Sequence, residues 1–323
     1  MKIVFQHEHY LPVFGYGGIE RILFWHMVEL AKMGHQVVLI GHPEAKVKDY
    51  GIELIPSSNG SPEAWLELIP KDADLIHLFY NYKVPGDIPT INTIQGNGKI
   101  GEAFTKNSVF VSKKHAQNHG SDQFIYNGID LSEYPFTPQI KGWNKFLFLA
   151  KASWRVKNLS HAVKACRKNN KHLYIAGGKW WGLSRYIHNH GMVGGEEKMN
   201  IIRSCDALIF PVRWHEPFGI AIIEAMSQGL PVIGSPYGSL PELITEETGF
   251  IVHSYEELAE KLKNPGKTFD PLVIRKYVEE NFSIRLHTER YLVLYEKIKG
   301  GAELNLKGPS YLLTQRAEEL LPF

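Results

Sequence analysis

Phe210-Pro211-Val212-Arg213-Trp214-His215-Glu216-Pro217-Phe218-Gly219-Ile220-Ala221-Ile222-Ile223-Glu224-Ala225-Met226 is the stretch from which the organisation of this chain follows. An apolar strand ends near Pro211, a polar loop carries Glu216, and Pro217 marks the expected first turn of a helix. The helix then runs apolar through Met226, with Glu224 as its one break. A carboxylate inside such a helix costs on the order of several kcal/mol unless it is paired or hydrogen-bonded. Two uses are open to it. It can pair with a core arginine or a backbone amide, or it can accept the two adjacent hydroxyls of a ribose. Phe218 to Glu224 spans six residues, about 9 Å of helical rise. That length would reach from a phosphate at the helix N-terminus, where anions bind well, to a ribose beside it.

Strand, loop and helix in this order make half of a parallel α/β unit, and the alternation continues in both directions. Upstream, a strand at 145–150 precedes a helix at 158–168, with further strands at 172–176 and 207–210. Downstream, strands are expected at 230–233 and 249–252. The run 135–143, with two prolines and a glycine, separates this series from an earlier one. There Ile3-Val4-Phe5 leads through Phe14-Gly15-Tyr16-Gly17-Gly18 into a helix over 19–33. Strands follow at 36–40, 75–79, 89–94, 108–111 and 123–126. We therefore expect an α/β architecture of two Rossmann-like doubly wound domains, 1–138 and 139–302, facing a cleft. Ligands of such folds bind outside the carboxyl ends of the strands. Residues 303–323, beyond Gly300-Gly301, are expected as a C-terminal helix, either a tail or a strap returning to the first domain.

Two more constellations fall at strand ends. Lys151, Arg155 and Lys157 place three cations within seven residues directly after the strand at 145–150. A diphosphate would sit there, and ammonium groups neutralise it as point charges. The alternative is a set of solvated surface lysines. Gly15-Tyr16-Gly17-Gly18-Ile19-Glu20 joins the first strand to the first helix. Its glycines let a ligand approach the backbone and expose helix-start amides to an anion, or they make a tight turn only. Tyr126-Asn127-Gly128-Ile129-Asp130 is a turn leading toward the linker.

With these residues in view, the chain resembles the family 4 glycosyltransferases of GT-B architecture. The likeness rests first on Glu216 and Glu224, with seven residues between them, around Pro217-Phe218-Gly219. It continues through Gly229-Leu230-Pro231-Val232-Ile233-Gly234, Gly238-Ser239-Leu240-Pro241-Glu242 and Glu247-Thr248-Gly249-Phe250. Gly17-Gly18-Ile19-Glu20, Asn127-Gly128-Ile129-Asp130, Lys151 and Lys157 fall in the family's order, and the likeness covers roughly residues 1–255. The resemblance implies that Lys151 and Lys157 meet the donor diphosphate and that Glu224 holds the ribose. Glu216, Pro217 and the backbone at Phe218 and Gly219 would meet the transferred sugar, and Gly17 and Gly18 would close over the donor. Catalytic roles then fall to Glu216, Lys151 and Lys157. Both lysines are expected to be exposed, so that replacing either would leave folding intact. The implied reaction is retaining, metal-independent glycosyl transfer from a nucleotide-diphospho-sugar to a glycan, lipid or small-molecule acceptor. One position departs from the pattern. Many relatives carry a histidine where Asn92-Thr93-Ile94-Gln95-Gly96 has Gln95. A catalytically inactive carbohydrate- or nucleotide-sugar-binding protein, a phosphorylase, or a nucleotide-sugar epimerase on the same fold are the alternatives.

Composition agrees with a two-domain globular chain and removes other classes. The 323 residues are 44% hydrophobic and 22% charged, more than one ordinary core holds. Thirty-six basic against thirty-four acidic residues, without a basic run, leave no footprint for nucleic acid. The two cysteines, Cys166 and Cys205, form no ligand-like pair, as in a reducing compartment. No apolar run reaches the ~18 residues of a membrane span, and Met1 to His7 turns polar too early for a signal peptide. The expectation is a cytoplasmic protein, with peripheral membrane contact open and the oligomeric state unassigned. No cofactor or metal is expected. His7-Glu8-His9 lacks further ligands, and Asp72-Ala73-Asp74 precedes its strand and so points away from the ligand end. Gly96-Asn97-Gly98-Lys99-Ile100-Gly101 spells a dinucleotide fingerprint ninety residues too late. His188-Asn189-His190 has no basic surroundings, and Asn59-Gly60-Ser61 and Asn158-Leu159-Ser160 carry no meaning in a cytoplasmic chain.

Overall fold

The computed structural model describes residues 1–13, 15, 17–57, 63–316 and 319–323. Phe14 and Tyr16 of the first glycine loop and the Asn59-Gly60-Ser61 triplet lie outside the described residues. The chain divides into two compact units. Unit 1 holds residues 1–13, 17–129 and 284–314, and unit 2 holds residues 130–283 and 315–323.

Unit 1 is a parallel sheet of β1 (Lys2–His7), β2 (Gln36–Gly41), β3 (Ile52–Pro56), β4 (Leu75–Leu78), β5 (Thr90–Ile94) and β6 (Ser108–Phe110). Its spatial order is β3-β2-β1-β4-β5-β6. The central strand β1 is buried on both faces at Ile3, Val4 and Phe5, which is why it reads as an apolar run rather than an alternation. Helix α1 (Gly18–Lys32) buries every residue from Ile22 to Leu30. Helix α2 (Lys113–Gln117) is short, and Ser112 caps it by accepting from the His115 amide.

Unit 2 repeats the design with β7 (Lys145–Leu149), β8 (His172–Ala176), β9 (Ile187–Gly191), β10 (Ala207–Phe210), β11 (Val232–Gly234) and β12 (Gly249–Ile251). All pairs are parallel, in the order β12-β11-β10-β7-β8-β9. Around this sheet lie α3 (Leu159–Lys168), α4 (Gly195–Ser204), α5 (Ile220–Ser227), α6 (Leu240–Leu243), α7 (Tyr255–Lys263) and α8 (Pro271–Asn281). Asp270 caps α8 and Pro271 opens it, the usual start of a helix. Cys166 and Cys205 are buried free thiols, and burial pushes Cys205 up to about 12.

Helix α9 (Ile284–Lys299) follows unit 2 in sequence but belongs to unit 1. Its buried face is polar and aromatic. Thr288 and Tyr295 bond the two ring nitrogens of His26 on α1 at 3.0 and 2.7 Å. Tyr295 also reaches His77 Nδ1 on β4 at 2.6 Å, and Thr93 on β5 links His77 to Tyr291. This network replaces the apolar stripe of an ordinary helix. The units divide at 129/130 and 283/284, where 138/139 and 302/303 were expected. Residues 303–323 were expected as a helix, but among the described residues they contain none. Ser310 instead bridges Ala103, and the Leu321 amide donates to the Arg213 carbonyl. No helix of the described residues is long and apolar enough to cross a membrane.

The expected strand at 123–126 is reduced to an isolated bridge between Phe124 and Phe110. Strands β3 and β9 are additions to the expected set. Both are edge strands, where one-sided pairing leaves a weaker apolar signal.

Candidate functional site

Strand β10 delivers the motif segment, and hydrogen bonds to its neighbours fix the path of 211–213. The Asn158 side chain donates to the Pro211 carbonyl at 2.9 Å, the Arg213 amide to the Val156 carbonyl at 2.7 Å, and Ser235 Oγ to the Val212 carbonyl at 2.6 Å. Pro217 does not open the helix as expected. Gly219 adopts φ 88° and caps α5, which begins at Ile220. A left-handed residue cannot sit inside the helix, so Pro217 and Phe218 remain in the loop.

Glu216 is 7% exposed and receives two donors on one oxygen, Lys157 Nζ at 2.6 Å and Trp214 Nε1 at 2.7 Å. Lys157 therefore differs from the expectation of an exposed cation. Its ammonium lies 4.7 Å from the Trp214 ring centroid, 5.4 Å from Phe210 and 6.0 Å from Trp154. An ammonium gains from aromatic faces when desolvated, and the carboxylate completes its neutralisation. Lys151 is exposed as expected, 5.0 Å from the centroid of the same Trp154 ring. The two lysines thus share one indole, one open and one enclosed. Among the described residues Lys151 forms no ion pair.

Glu224 is 3% exposed. Its Oε1 accepts from Lys198 Nζ on α4 and from the Tyr134 hydroxyl, each at 2.6 Å. Sequence reasoning offered an arginine or a backbone amide as the structural partner, but a lysine and a tyrosine take that place. Lys198, Tyr134 and Trp214 gave no local signal, because the first two act across 26 and 90 residues of chain.

Gly238 belongs to the site for a steric reason. It adopts φ 64°, and a Cβ there would collide with the backbone N and O of Glu216. Ser239 completes the cradle, its amide donating to the Glu216 carbonyl at 3.0 Å and its hydroxyl to the Phe218 carbonyl at 2.6 Å. The motif loop is held from both flanks.

Gly17 and Gly18 lie in unit 1, Gly17 preceding α1 and Gly18 opening it. A Cβ at Gly17 would meet Glu20 Oε2 and Val13 at 3.0 Å. Near this turn burial pushes His7 down to about 4, against the pull of Glu20. Gln95 makes a reciprocal amide pair with buried Asn127, at 3.0 and 2.9 Å. The residue at the departing position thus ties β5 to the 126–130 turn. The acidic pair is occupied as well: Asp72 pairs with Lys2 at 2.6 Å and Asp74 with Lys299 at 2.7 Å. Among the described residues no three His, Cys, Asp or Glu side chains gather as a metal site.

Residues 132–264 match the family described as glycosyl transferases group 1. A trehalose synthase of Pyrococcus horikoshii is 32% identical over 109 residues, which is 32% of this chain and 26% of that protein's length. Among solved structures, AviGT4, a glycosyltransferase involved in avilamycin A biosynthesis, superposes with a TM-score of 0.75 at 20% identity. The match covers 93% of this chain and 98% of that one. The Anabaena protein HepE, crystallised with UDP and glucose, gives 0.67 at 17% identity, covering 92% of this chain and 100% of that one. These likenesses carry the two-unit α/β fold.

Proposed function

We propose that this chain is a family 4-like glycosyltransferase of GT-B architecture and that it moves a sugar from a nucleotide-diphospho-sugar to an acceptor. The reaction proceeds with retention at the anomeric carbon and without a divalent metal. One observation carries the reading. Lys151, exposed and without an ion pair among the described residues, stands at the carboxyl end of β7, on the same indole as the enclosed Lys157–Glu216 pair. In the transfer step the bond from the anomeric carbon to the diphosphate oxygen breaks, an acceptor hydroxyl oxygen takes its place, and the hydroxyl proton passes to the departing diphosphate. Negative charge develops on the departing diphosphate. Lys151 and the start of α5 stabilise that charge without reorganising, which is where an electrostatic contribution counts most. Lys157 acts with Glu216, holding the carboxylate toward the sugar. Glu224, fixed by Lys198 and Tyr134, accepts the ribose hydroxyls as a rigid anchor.

HepE's complex with UDP makes uridine diphosphate sugars the first donors to test. The experiment is a thermal-shift screen of nucleotide sugars, followed by hydrolysis of the stabilising compound without acceptor in the presence of chelator. Stabilisation with slow, chelator-resistant release of free sugar supports the reading. Stabilisation without turnover, with or without acceptors, favours the inactive binding protein. Turnover that requires added manganese or magnesium refutes the metal-independent step.

A further inference from the structure

Unit 2 carries a second surface that shares none of Lys151, Lys157, Glu216 or Glu224. Helix α3 presents Lys164, Arg167 and Lys168 along its exposed face. Beside it the loop from β8 to β9, residues 177–186, forms the other wall of a groove of about 810 Å³. That loop adds Lys179 and Arg185, both exposed. Among the described residues none of these five cations forms an ion pair. Their neighbours are rings instead. Lys164 lies 4.3 Å from the Tyr255 centroid, Arg167 lies 5.7 Å from Trp180, and Arg185 lies 4.9 Å from Tyr186.

The tip of the same loop is apolar and unburied. Trp181 is 88% exposed and Leu183 98% exposed. Gly182 stands between them, and a Cβ there would collide with the Trp180 ring. The chain therefore closes tightly over Trp180, which packs on the unit 2 core, while Trp181 and Leu183 project outward. Two large apolar side chains beside five unpaired cations exceed what a small anion needs. A lone phosphate would satisfy the charges but leave Trp181 and Leu183 in water. A bilayer surface with anionic headgroups satisfies both, since tryptophan favours the interfacial layer and cations favour the headgroups.

We propose that the 177–186 loop and the exposed face of α3 dock unit 2 onto an anionic lipid surface, with Trp181 and Leu183 entering the headgroup layer. Anchoring then combines a short apolar wedge with a polybasic patch, two signals acting together where either alone binds a membrane only marginally.

Co-sedimentation of the full chain with vesicles tests this. Phosphatidylcholine vesicles containing phosphatidylglycerol should retain the protein, those of phosphatidylcholine alone should not, and high salt should release it. Trp181→Ala with Leu183→Ser should lower partitioning by about tenfold. Lys164→Glu should lower it by at least about fivefold, the effect of one headgroup-facing cation. These positions are exposed, so far-ultraviolet circular dichroism and thermal stability should match the parent chain. Nucleotide binding should also persist in both variants, which separates loss of docking from failure of the proposed activity. No retention by phosphatidylglycerol vesicles, or equal retention of both variants, overturns the proposal. Retention by an immobilised acidic oligosaccharide with none by vesicles overturns it in favour of a soluble polyanion.

Discussion

Lys157 and Glu216 should be strongly coupled in stability as well as in activity. Their side chains are 11% and 8% exposed, and Nζ and Oε2 stand 2.6 Å apart. At an effective dielectric of about 20 the bare attraction at that separation is roughly 6 kcal/mol. Desolvation of two ions offsets several kcal/mol of it, so the intact pair is close to neutral for stability. Breaking it is another matter. Lys157→Met leaves a buried carboxylate with only the Trp214 indole as donor, and Glu216→Gln leaves an ammonium with rings and a neutral amide oxygen in place of its counter-charge. Each single change should cost about 3 kcal/mol. The double variant should cost only about 1 kcal/mol, because it strands no charge, giving a coupling of roughly 5 kcal/mol. Urea unfolding of the four proteins, followed by circular dichroism and tryptophan fluorescence, measures it, with unit 2 fitted as its own transition if the units separate. Effects that add within about 0.5 kcal/mol would refute the enclosed pair. They would return Lys157 to the exposed role that sequence alone assigned to it.

Gly238→Ala should destabilise the chain by about 3 kcal/mol, from left-handed strain plus the clash with the Glu216 backbone. Thermal unfolding and donor turnover should fall together, and an unchanged melting temperature would contradict the cradle. The buried histidines should make unit 1 sensitive to acid. Burial lowers His26 and His77 well below 6.5 and His287 to about 4, so the folded state resists protons that the unfolded chain accepts. Their stabilisation is complete above pH 6.5 and declines as pH falls toward 4, by up to about 1.4 kcal/mol per pH unit for each histidine. Urea midpoints between pH 7 and 5 test this, and a flat profile would contradict it. Gln95→Ala should cost about 1–3 kcal/mol by leaving the buried Asn127 amide without its partner, read as a shift in the unfolding midpoint.

The central strands were legible because burial on both faces writes them as apolar runs, as in Ile3-Val4-Phe5 and Phe146-Leu147-Phe148. Edge strand β9 was not: Ile187-His188-Asn189-His190-Gly191 is polar, and its histidine rings stack on Tyr174 rather than entering a core. The allegiance of helix α9 to unit 1 was not legible, since Thr288, Tyr291 and Tyr295 find their partners some two hundred or more residues earlier. At the candidate site the chemistry-bearing residues stood out by type and spacing. What holds them did not. Lys198 and Tyr134 act through contacts that no local pattern encodes, Gly238 showed as part of a motif but not as the support of Glu216, and the enclosure of Lys157 follows from three rings meeting in space.

The most direct test of the central claim is calorimetric titration of uridine diphosphate into the parent chain and into Lys151→Ala. The account predicts saturable binding by the parent and a loss of about ten- to a hundredfold in the variant, the worth of one charge-assisted contact to an anion. Because Lys151 is exposed and forms no ion pair among the described residues, the variant should unfold at the parent's urea midpoint. If neither uridine nor other nucleoside diphosphates bind, or if they bind Lys151→Ala as tightly as the parent, the diphosphate does not sit at the end of β7 and the proposed site is wrong.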